Sequence, residues 1–172
     1  SAEAVSSGRI NFSKAWGYIS RADHKRYSRK YKPQQGDIYM VKSGATTGIT
    51  AMVEDNREFN IWSPLAAIRA NSETAPKFLL YALRSTEFQA GVALNWSYGT
   101  QQNIGMNVLE NLPLPIPPYK EQATIAATLE RETARIDALI GKAEQSITLL
   151  KERRSAFITA AVTGQIDLRG KQ

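Results

Sequence analysis

Basic and aromatic side chains alternate within residues 21–32, and this combination of residue types could bind a polyanion. The segment reads RADHKRYSRKYK, with Tyr27 and Tyr31 set among arginines and lysines. Residues 1–42 carry nine Lys and Arg against three Asp and Glu. The net charge of this segment therefore equals the formal net charge of the whole chain, +6. Cationic side chains pair with phosphates, and aromatic rings pack beside them. The segment therefore indicates either a nucleic-acid contact or a solvated charged loop.

Side-chain amides are concentrated in residues 95–107, which read NWSYGTQQNIGMN. Asparagine and glutamine amides can form paired hydrogen bonds with base edges, notably that of adenine. Residues 42–48, KSGATTG, add donors on a glycine-bearing loop. This loop is not a phosphate-cradling P-loop, because Ile49 follows its last glycine where a P-loop has lysine. The two segments are compatible with base readout, and equally with ordinary loops.

The chain lacks the residue sets that most enzymes need. It has no cysteine and one histidine, His24, which excludes thiolate metal sites, cysteine nucleophiles and sites with several histidines. The carboxylates of residues 43–112 form no compact group for a divalent cation. Ile116 stands where the N/D-P-P-Y/F motif of amino-methyltransferases has an amine-binding Asn or Asp. We therefore predict a non-catalytic protein. Since we find neither an apolar run of about 20 residues nor a signal peptide, we expect a cytoplasmic location.

Residues 1–112 have the mixed pattern of an α+β domain. Apolar and β-branched runs predict strands at 37–41, 49–53, 59–62 and 65–70. One helix is predicted between Thr74 as its N-cap and Gly91 as its end, with Pro76 in the first turn. Because proline is excluded from helix interiors, the four prolines that follow predict a linker at residues 113–118.

Residues 119–164 are predicted to form one long helix with an apolar seam. Apolar residues recur at alternating spacings of three and four over about four heptads, which is the pattern of a coiled coil. The predicted coiled-coil interface consists of Leu129, Ile136, Ile140, Ala143, Ile147, Leu150 and Phe157. Gly164 is the predicted helix stop. Such a helix would be about 65 Å long. We expect another helix to cover the seam, and folding back onto its own domain is the alternative.

Residues 109–168 resemble the conserved region of specificity (S) subunits of type I restriction-modification enzymes. The resemblance rests on the Pro-rich lead-in, the Glu121-Gln122 pair and the segments IDALI (136–140), LLKERR (149–154) and AAVTGQID (160–167). Tyr119-Lys120 departs from the family pattern, in which Pro or Leu-Pro is commoner. Residues 36–53, 78–85 and 97–118 are similar, more weakly, to a target recognition domain of that family.

The resemblance implies a division into a target recognition domain (1–112), a linker (113–118), a coiled-coil helix (119–164) and a tail (165–172). An S subunit of this family has two recognition domains and two helices packed as an antiparallel coiled coil. This chain is therefore similar to half of one, or to a C-terminal fragment whose recognition domain lacks its opening segment. We expect two copies to associate through the helix as a homodimer that prefers an inverted-repeat target.

The resemblance also implies partners and residue roles. The chain would read one half-site of double-stranded DNA and position a methyltransferase (M) subunit and a restriction (R) subunit. S-adenosylmethionine, Mg and ATP would belong to those subunits, with no cofactor or metal in this chain. The phosphate contacts would be Arg21, Lys25, Arg26, Arg29 and Lys30, and the base contacts Lys42, Ser43, Tyr98, Thr100, Gln101, Gln102 and Asn103. The main alternative is a protein-interaction module with a dimerising coiled coil.

Overall fold

The structure is a computed structural model that describes residues 1–97 and 102–166, in two compact units. The first unit is Ser1–Ala127, and the second begins at Thr128. The elements follow in the order α1 (Arg21–Ser28), β1 (Ile38–Val41), β2 (Thr50–Met52), β3 (Leu65–Ile68), α2 (Pro76–Arg84), α3 (Thr86–Leu94), α4 (Met106–Leu109) and α5 (Tyr119–Val162). A short 3-10 turn at Phe12–Lys14 precedes them. This mixed architecture with a long C-terminal helix confirms the predicted α+β class.

A three-stranded antiparallel sheet lies at the centre of the first unit, in the order β2-β1-β3. β1 pairs with both neighbours, so that Tyr39 stands opposite Ala51 on β2 and Ala67 on β3. All four side chains of β1 are buried. A strand that is buried on both faces needs a continuous apolar run, and the sequence IYMV supplies one.

Helices cover one face of this sheet. Ile38 and Met40 share that face because alternate side chains of a strand point the same way. Both pack with α2 and α3 in a cluster whose buried helical residues are Leu79, Leu80, Leu83, Phe88 and Val92. The buried leucines of α2 lie three and four residues apart, which gives that helix a single apolar face toward the sheet.

The N-terminal segment and the residues before β3 cover the other face. Tyr39 and Val41 pack there with Val5 and with the partly buried Phe59 and Ile61. The rings of Tyr39 and Phe59 meet edge to face, with 6.0 Å between their centroids. The predicted strand at 59–62 is wrong. These residues are irregular, and they fill the core with side chains instead of pairing their backbone with the sheet.

The single helix predicted between residues 74 and 91 is also wrong, because two helices occupy this stretch. They divide at Ser85, whose backbone is extended and whose hydroxyl accepts a hydrogen bond from the N–H of Phe88 at 3.3 Å. Ser85 is therefore the N-cap of α3. Gly91 lies inside α3, where an added Cβ would stand 3.3 Å from Leu112. That glycine permits close packing and does not end the helix.

Gln122, in the first turn of α5, is bound to the segment before α2. The side chain is fully buried, and its Oε1 accepts a hydrogen bond from the N–H of Ala75 at 2.8 Å. Its Nε2 donates to the carbonyl oxygens of Glu73 at 3.0 Å and Pro117 at 2.8 Å. Ala75, not the predicted Thr74, occupies the N-cap position of α2 and has no capping side chain. The side chain of Gln122 therefore accepts the hydrogen bond of the N-cap N–H, which in a capping box is accepted by a residue of the same helix.

α5 begins and ends where the sequence predicts. Residues 113–118 are not helical, and the helix starts at Tyr119. After Val162, Gly164 takes a left-handed φ of 72°, and the N–H of Gln165 donates to the carbonyl oxygen of Ala160 at 2.8 Å. A glycine in this conformation ends many helices because it has no side chain to clash.

From Thr128 onward, α5 exposes its large apolar residues. The buried residues of the helix are Gln122 and Ala126, both in the first unit. The exposed apolar side chains are Leu129, Ile136, Leu139, Ile140, Ile147, Leu149, Leu150, Phe157, Ile158 and Val162. Within residues 1–97 and 102–166, no helix is long and apolar enough to cross a membrane.

Candidate nucleic-acid interface

The first eight residues of the basic segment form the helix α1 and not a loop. Ser20 caps α1 by accepting a hydrogen bond from the N–H of Asp23 at 3.0 Å. Arg21, Lys25 and Arg29 recur every four residues and share one face, since Arg29 keeps helical backbone angles at the C-cap. All five predicted phosphate contacts are exposed, namely Arg21, Lys25, Arg26, Arg29 and Lys30.

Four of these five cations have no acidic partner among the residues that the structure describes. The exception is Arg26, which pairs with Asp23 at 2.9 Å and lies over the ring of Tyr27, 4.8 Å from its centroid. Tyr27 also accepts a hydrogen bond from Arg26 at 2.9 Å. Arg26 is thus partly neutralised, whereas Arg21 and Lys25 keep their full charge for a ligand.

His24 fixes α1 to the rest of the first unit. Its Nδ1 lies 2.6 Å from Oδ1 of Asn60, and the amide nitrogen of Asn60 donates to the hydroxyl of Ser28 at 3.3 Å. These contacts give His24 a structural role. The described part of the chain contains no group of three or more His, Cys, Asp and Glu residues that could hold a metal ion.

A buried carboxylate orders the chain just after α1. Asp37 accepts hydrogen bonds from Arg69 at 2.6 and 2.8 Å, from the Tyr31 hydroxyl and from the N–H of Gln34 at 2.9 Å. Burial acts to raise the pKa of Asp37, but the hydrogen bonds and the charge of Arg69 hold it below its ordinary value. Burial and the bond to Asp37 raise the pKa of the Tyr31 hydroxyl well above its ordinary value. Tyr31 therefore supports the fold, whereas Tyr27 is exposed.

The structure brings two of the predicted base-contact segments together. The N–H of Gly44 donates to the carbonyl oxygen of Gln102 at 3.0 Å, and the N–H of Ile104 donates to that of Lys42 at 2.9 Å. Ser43 and Asn103 form an isolated antiparallel bridge. Gln102 and Asn103 are exposed, and Lys42 and Ser43 are partly exposed. Tyr98, Thr100 and Gln101 lie outside the described residues.

The loop between β1 and β2 is held in one shape by α3. Gly48 has a left-handed φ of 94°, and its carbonyl oxygen accepts a hydrogen bond from Nε2 of Gln89 at 3.0 Å. The same amide donates to the carbonyl oxygen of Leu83 at 2.6 Å. Any other residue would be strained at this φ, and its Cβ would stand 2.5 Å from Oε1 of Gln89, which would have to move. Sequence reasoning missed Gln89 because no local pattern marks a contact 41 residues away.

Sequence reasoning also missed an exposed aromatic pair. Trp16 is 81% exposed and Trp62 is 61% exposed, and their ring centroids are 5.8 Å apart. Tyr18, two residues after Trp16, is also fully exposed. Little in the sequence signals this pair, because Trp62 ends the predicted strand 59–62 and Trp16 lies in no predicted element.

The profile of the type I restriction modification DNA specificity domain family matches residues 6–149. The chain is 32% identical over 95 residues to the EcoBI specificity subunit of Escherichia coli, an alignment that covers 55% of this chain and 20% of the relative. It is 28% identical over 171 residues to the putative MjaX specificity subunit of Methanocaldococcus jannaschii, covering 94% of this chain and 38% of the relative. The chain thus spans well under half the length of these relatives.

Two solved structures are similar to this chain. One comes from a study of complex assembly and conformational transition in the type I R-M system, with a TM-score of 0.64 and 26% identity over 76% of this chain and 31% of that one. The other is the HsdS subunit of Thermoanaerobacter tengcongensis, with a TM-score of 0.57 over 82% of this chain and 36% of that one. At 20% identity, the second likeness concerns the fold alone.

The family resemblance seen in the sequence is therefore confirmed. The relatives are named as specificity subunits, in agreement with the prediction of a specificity component and not of an enzyme. Because the family profile covers residues 6–149, which is most of the chain, the chain belongs to the type I restriction modification DNA specificity domain family.

Proposed function

We propose that this chain is a sequence-specific DNA-binding specificity subunit, or part of one, that reads one half-site of a type I restriction-modification target. The observation that carries the proposal is the exposed face of α1, on which Arg21, Lys25 and Arg29 stand one helical turn apart. These side chains have no acidic partner among the described residues. A domain of this family with such a face is suited to bind a polyanion.

In this proposal α1 contacts the DNA backbone. Cations that contact phosphates release bound counterions, which makes affinity depend on salt but not on base sequence. Arg21, Lys25, Arg26, Arg29 and Lys30 would make these contacts, with Arg26 contributing least because Asp23 already pairs with it. The capped helix and its contact through His24 support this role, since they hold the cations in a fixed array.

Base readout is assigned to the paired loops. Lys42 and Ser43 lie beside Gln102 and Asn103, held by backbone hydrogen bonds. The proposal keeps Tyr98, Thr100 and Gln101 as readout residues because they complete the same segment. An ordered backbone supports base readout, because paired hydrogen bonds require side chains at fixed positions.

The apolar face of α5 is proposed as a coiled-coil interface. Seam residues such as Ile136, Ile140 and Ile147 are each about half exposed in the single chain. A contiguous apolar stripe of this length marks an interaction site in a water-soluble protein. We assign a second copy of the chain to this face, so that paired helices space two reading domains over an inverted repeat.

Two further kinds of subunit complete the proposal. A methyltransferase subunit and a restriction subunit would assemble with this chain, and would supply S-adenosylmethionine, Mg and ATP chemistry. This chain would select the DNA target sequence and set the distance between the two reading domains. The exposed face of α5 also fits a second candidate function, a protein-interaction module that dimerises without binding DNA.

Salt-dependent binding to duplex DNA separates the two candidates. We expect the chain to bind a labelled mixed-sequence duplex with an affinity that falls steeply with salt. Changing Lys25 and Arg29 to Gln should lower the log–log salt slope by about 2, since each phosphate contact contributes about 0.9. Changing Lys142 and Lys151 on α5 to Gln is the matched control and should leave the slope unchanged. If the chain binds no duplex at any salt concentration, the interaction module replaces DNA recognition as the function.

Base readout has its own test once a target has been selected from random duplexes. Changing Gln101 and Gln102 to Ala should weaken binding to the selected target. The loss of binding free energy should be about 1–3 kcal/mol for each pair of hydrogen bonds to a base that is removed, and binding to random DNA should change little. Equal reductions in affinity for target and random DNA would show that these side chains do not read bases.

A further inference from the structure

We propose that Trp16 and Trp62 form an aromatic contact surface that packs against the deoxyribose rings of DNA, beside the phosphates that α1 binds. This inference rests on the proposed DNA-binding function and adds to it a contact that carries no charge. It assigns these two tryptophans a role in affinity and not in the choice of sequence.

The two indoles form a single apolar surface. Their centroids are 5.8 Å apart and their planes are inclined by 39°, so the two rings are direct neighbours. Most of each residue is open to solvent, at 81% for Trp16 and 61% for Trp62. Tryptophan is costly to expose, and a cluster of exposed rings marks a binding surface more often than a lone ring does.

The segments that carry the two tryptophans are tied to α1. Asn60, two residues before Trp62, contacts α1 twice, through His24 at 2.6 Å and Ser28 at 3.3 Å. Trp16 lies four residues before Ser20, which caps the same helix. The segments that carry the two tryptophans are also joined through the edge-to-face rings of Phe12 and Phe59, with 5.2 Å between centroids.

The surrounding charge favours DNA as the occupant over a protein surface. Residues 12–32 carry seven Lys and Arg against one acidic residue, Asp23. The acidic residues nearest to Trp62 in sequence are already engaged, because Glu58 pairs with Lys32 at 3.6 Å and Asp55 with Arg57 at 3.5 Å. An aromatic surface on segments with an excess of cations suits a ligand that alternates apolar and anionic groups, as the sugar-phosphate backbone does.

The test uses the 172-residue chain and a labelled duplex of mixed sequence, with W16A, W62A and the conservative W16F and W62F. Each alanine variant should lower affinity about tenfold, at the low end of what aromatic contacts with nucleic acids contribute. The log–log salt slope should stay unchanged, because every phosphate contact remains in place. The phenylalanine variants should recover part of the affinity, and a change of the exposed Tyr119 to Ala should have no effect.

Tryptophan emission gives a second readout, which does not depend on the alanine variants. Duplex DNA should quench the wild-type emission, and the W16F/W62F double variant, which keeps only the partly buried Trp96, should show much less of that quenching.

Each failure has a distinct meaning. Wild-type affinity in the alanine variants, or undiminished quenching in the double variant, would overturn this inference and leave the proposed function standing. A wild-type chain that binds no DNA would overturn the proposed function as well. A fall in salt slope on removing the rings would overturn the direct contact, because it would show that they act only by positioning α1.

Discussion

The two units of this chain use apolar residues in opposite ways. In Ser1–Ala127, the strand β1 is shielded on both faces, and Ile38 and Met40 are fully buried. In the unit that begins at Thr128, Ile140 is 51% exposed and Leu150 is 63% exposed. The first unit buries the apolar side chains of its sheet with its own contacts. The second presents an apolar face that the chain itself leaves open to water.

The difference follows from spacing and not from the amount of apolar sequence. β1 places four apolar residues in succession, which suits an element covered on both sides. α5 places them three and four apart, which concentrates them on one stripe. We infer that the first unit gains its stability from folding and the second gains it from association.

The largest effect should come from breaking the stripe. Changing Ile140 and Ile147 to Asp should abolish association of the chain, because a pair of helices would lose four buried isoleucines, about 6 kcal/mol or more. Mass in solution measures this directly. The matched control places the same charges on the opposite face, with Ala138 and Gln145 changed to Asp, and should still associate. A dimer that survives the seam changes would show that the stripe is not the interface.

Within the first unit, removing Arg69 should have the next largest effect. The change of Arg69 to Met leaves Asp37 buried without its cation. We therefore expect the free energy of unfolding to fall by about 3 kcal/mol. This value is at the low end for buried ion pairs because Arg69 is half exposed. Urea unfolding followed by tryptophan emission measures the change. Removal of the exposed Arg135–Glu132 pair, by changing Arg135 to Met, is the control and should change little.

The same pair predicts how stability depends on pH. The pKa of Asp37 in the folded chain lies below its unfolded value of about 3.9. The carboxylate therefore stabilises the fold fully above about pH 4, and this contribution is lost as the pH falls toward the folded pKa. The Arg69 variant should lose less stability than the wild type over that acid range. Equal decreases in the two proteins would mean that another group governs acid unfolding.

A smaller effect is expected at Gln122. Changing it to Ala leaves the N–H of Ala75 and two carbonyl groups without their partner, and should cost about 2 kcal/mol. Gln145, an exposed glutamine of the same helix, is the control, and its change to Ala should cost almost nothing. Equal stability of both variants would show that water replaces Gln122 at no cost.

The elements that the sequence predicts well are those whose patterns are local. The bounds of α5 followed from the prolines before Tyr119 and from Gly164 after the last turn. β1 and β2 followed from apolar runs on either side of a glycine-bearing loop. The break at Ser85 was not foreseen because the apolar pattern of Leu83 continues into Phe88, and a serine within such a run gives no clear boundary signal.

For the candidate site, composition located the basic segment but not its shape. The helix α1 carries few apolar residues, so its pattern gave no helical period. It is held by the Ser20 cap and by the contacts of Asn60 with His24 and Ser28. The approach of Gly44 to Gln102 depends on backbone hydrogen bonds between loops that are far apart in sequence. The pairing of Trp16 with Trp62 depends on tertiary contacts of the same kind.

The most direct test of DNA recognition by a pair of chains is to select duplexes from a random DNA pool with the wild-type chain. The enriched sequence and the number of chains bound to each selected duplex are both measured. We predict an inverted repeat with a constant gap, occupied by two chains. An undivided site occupied by one chain, or no enriched sequence at all, would contradict this prediction.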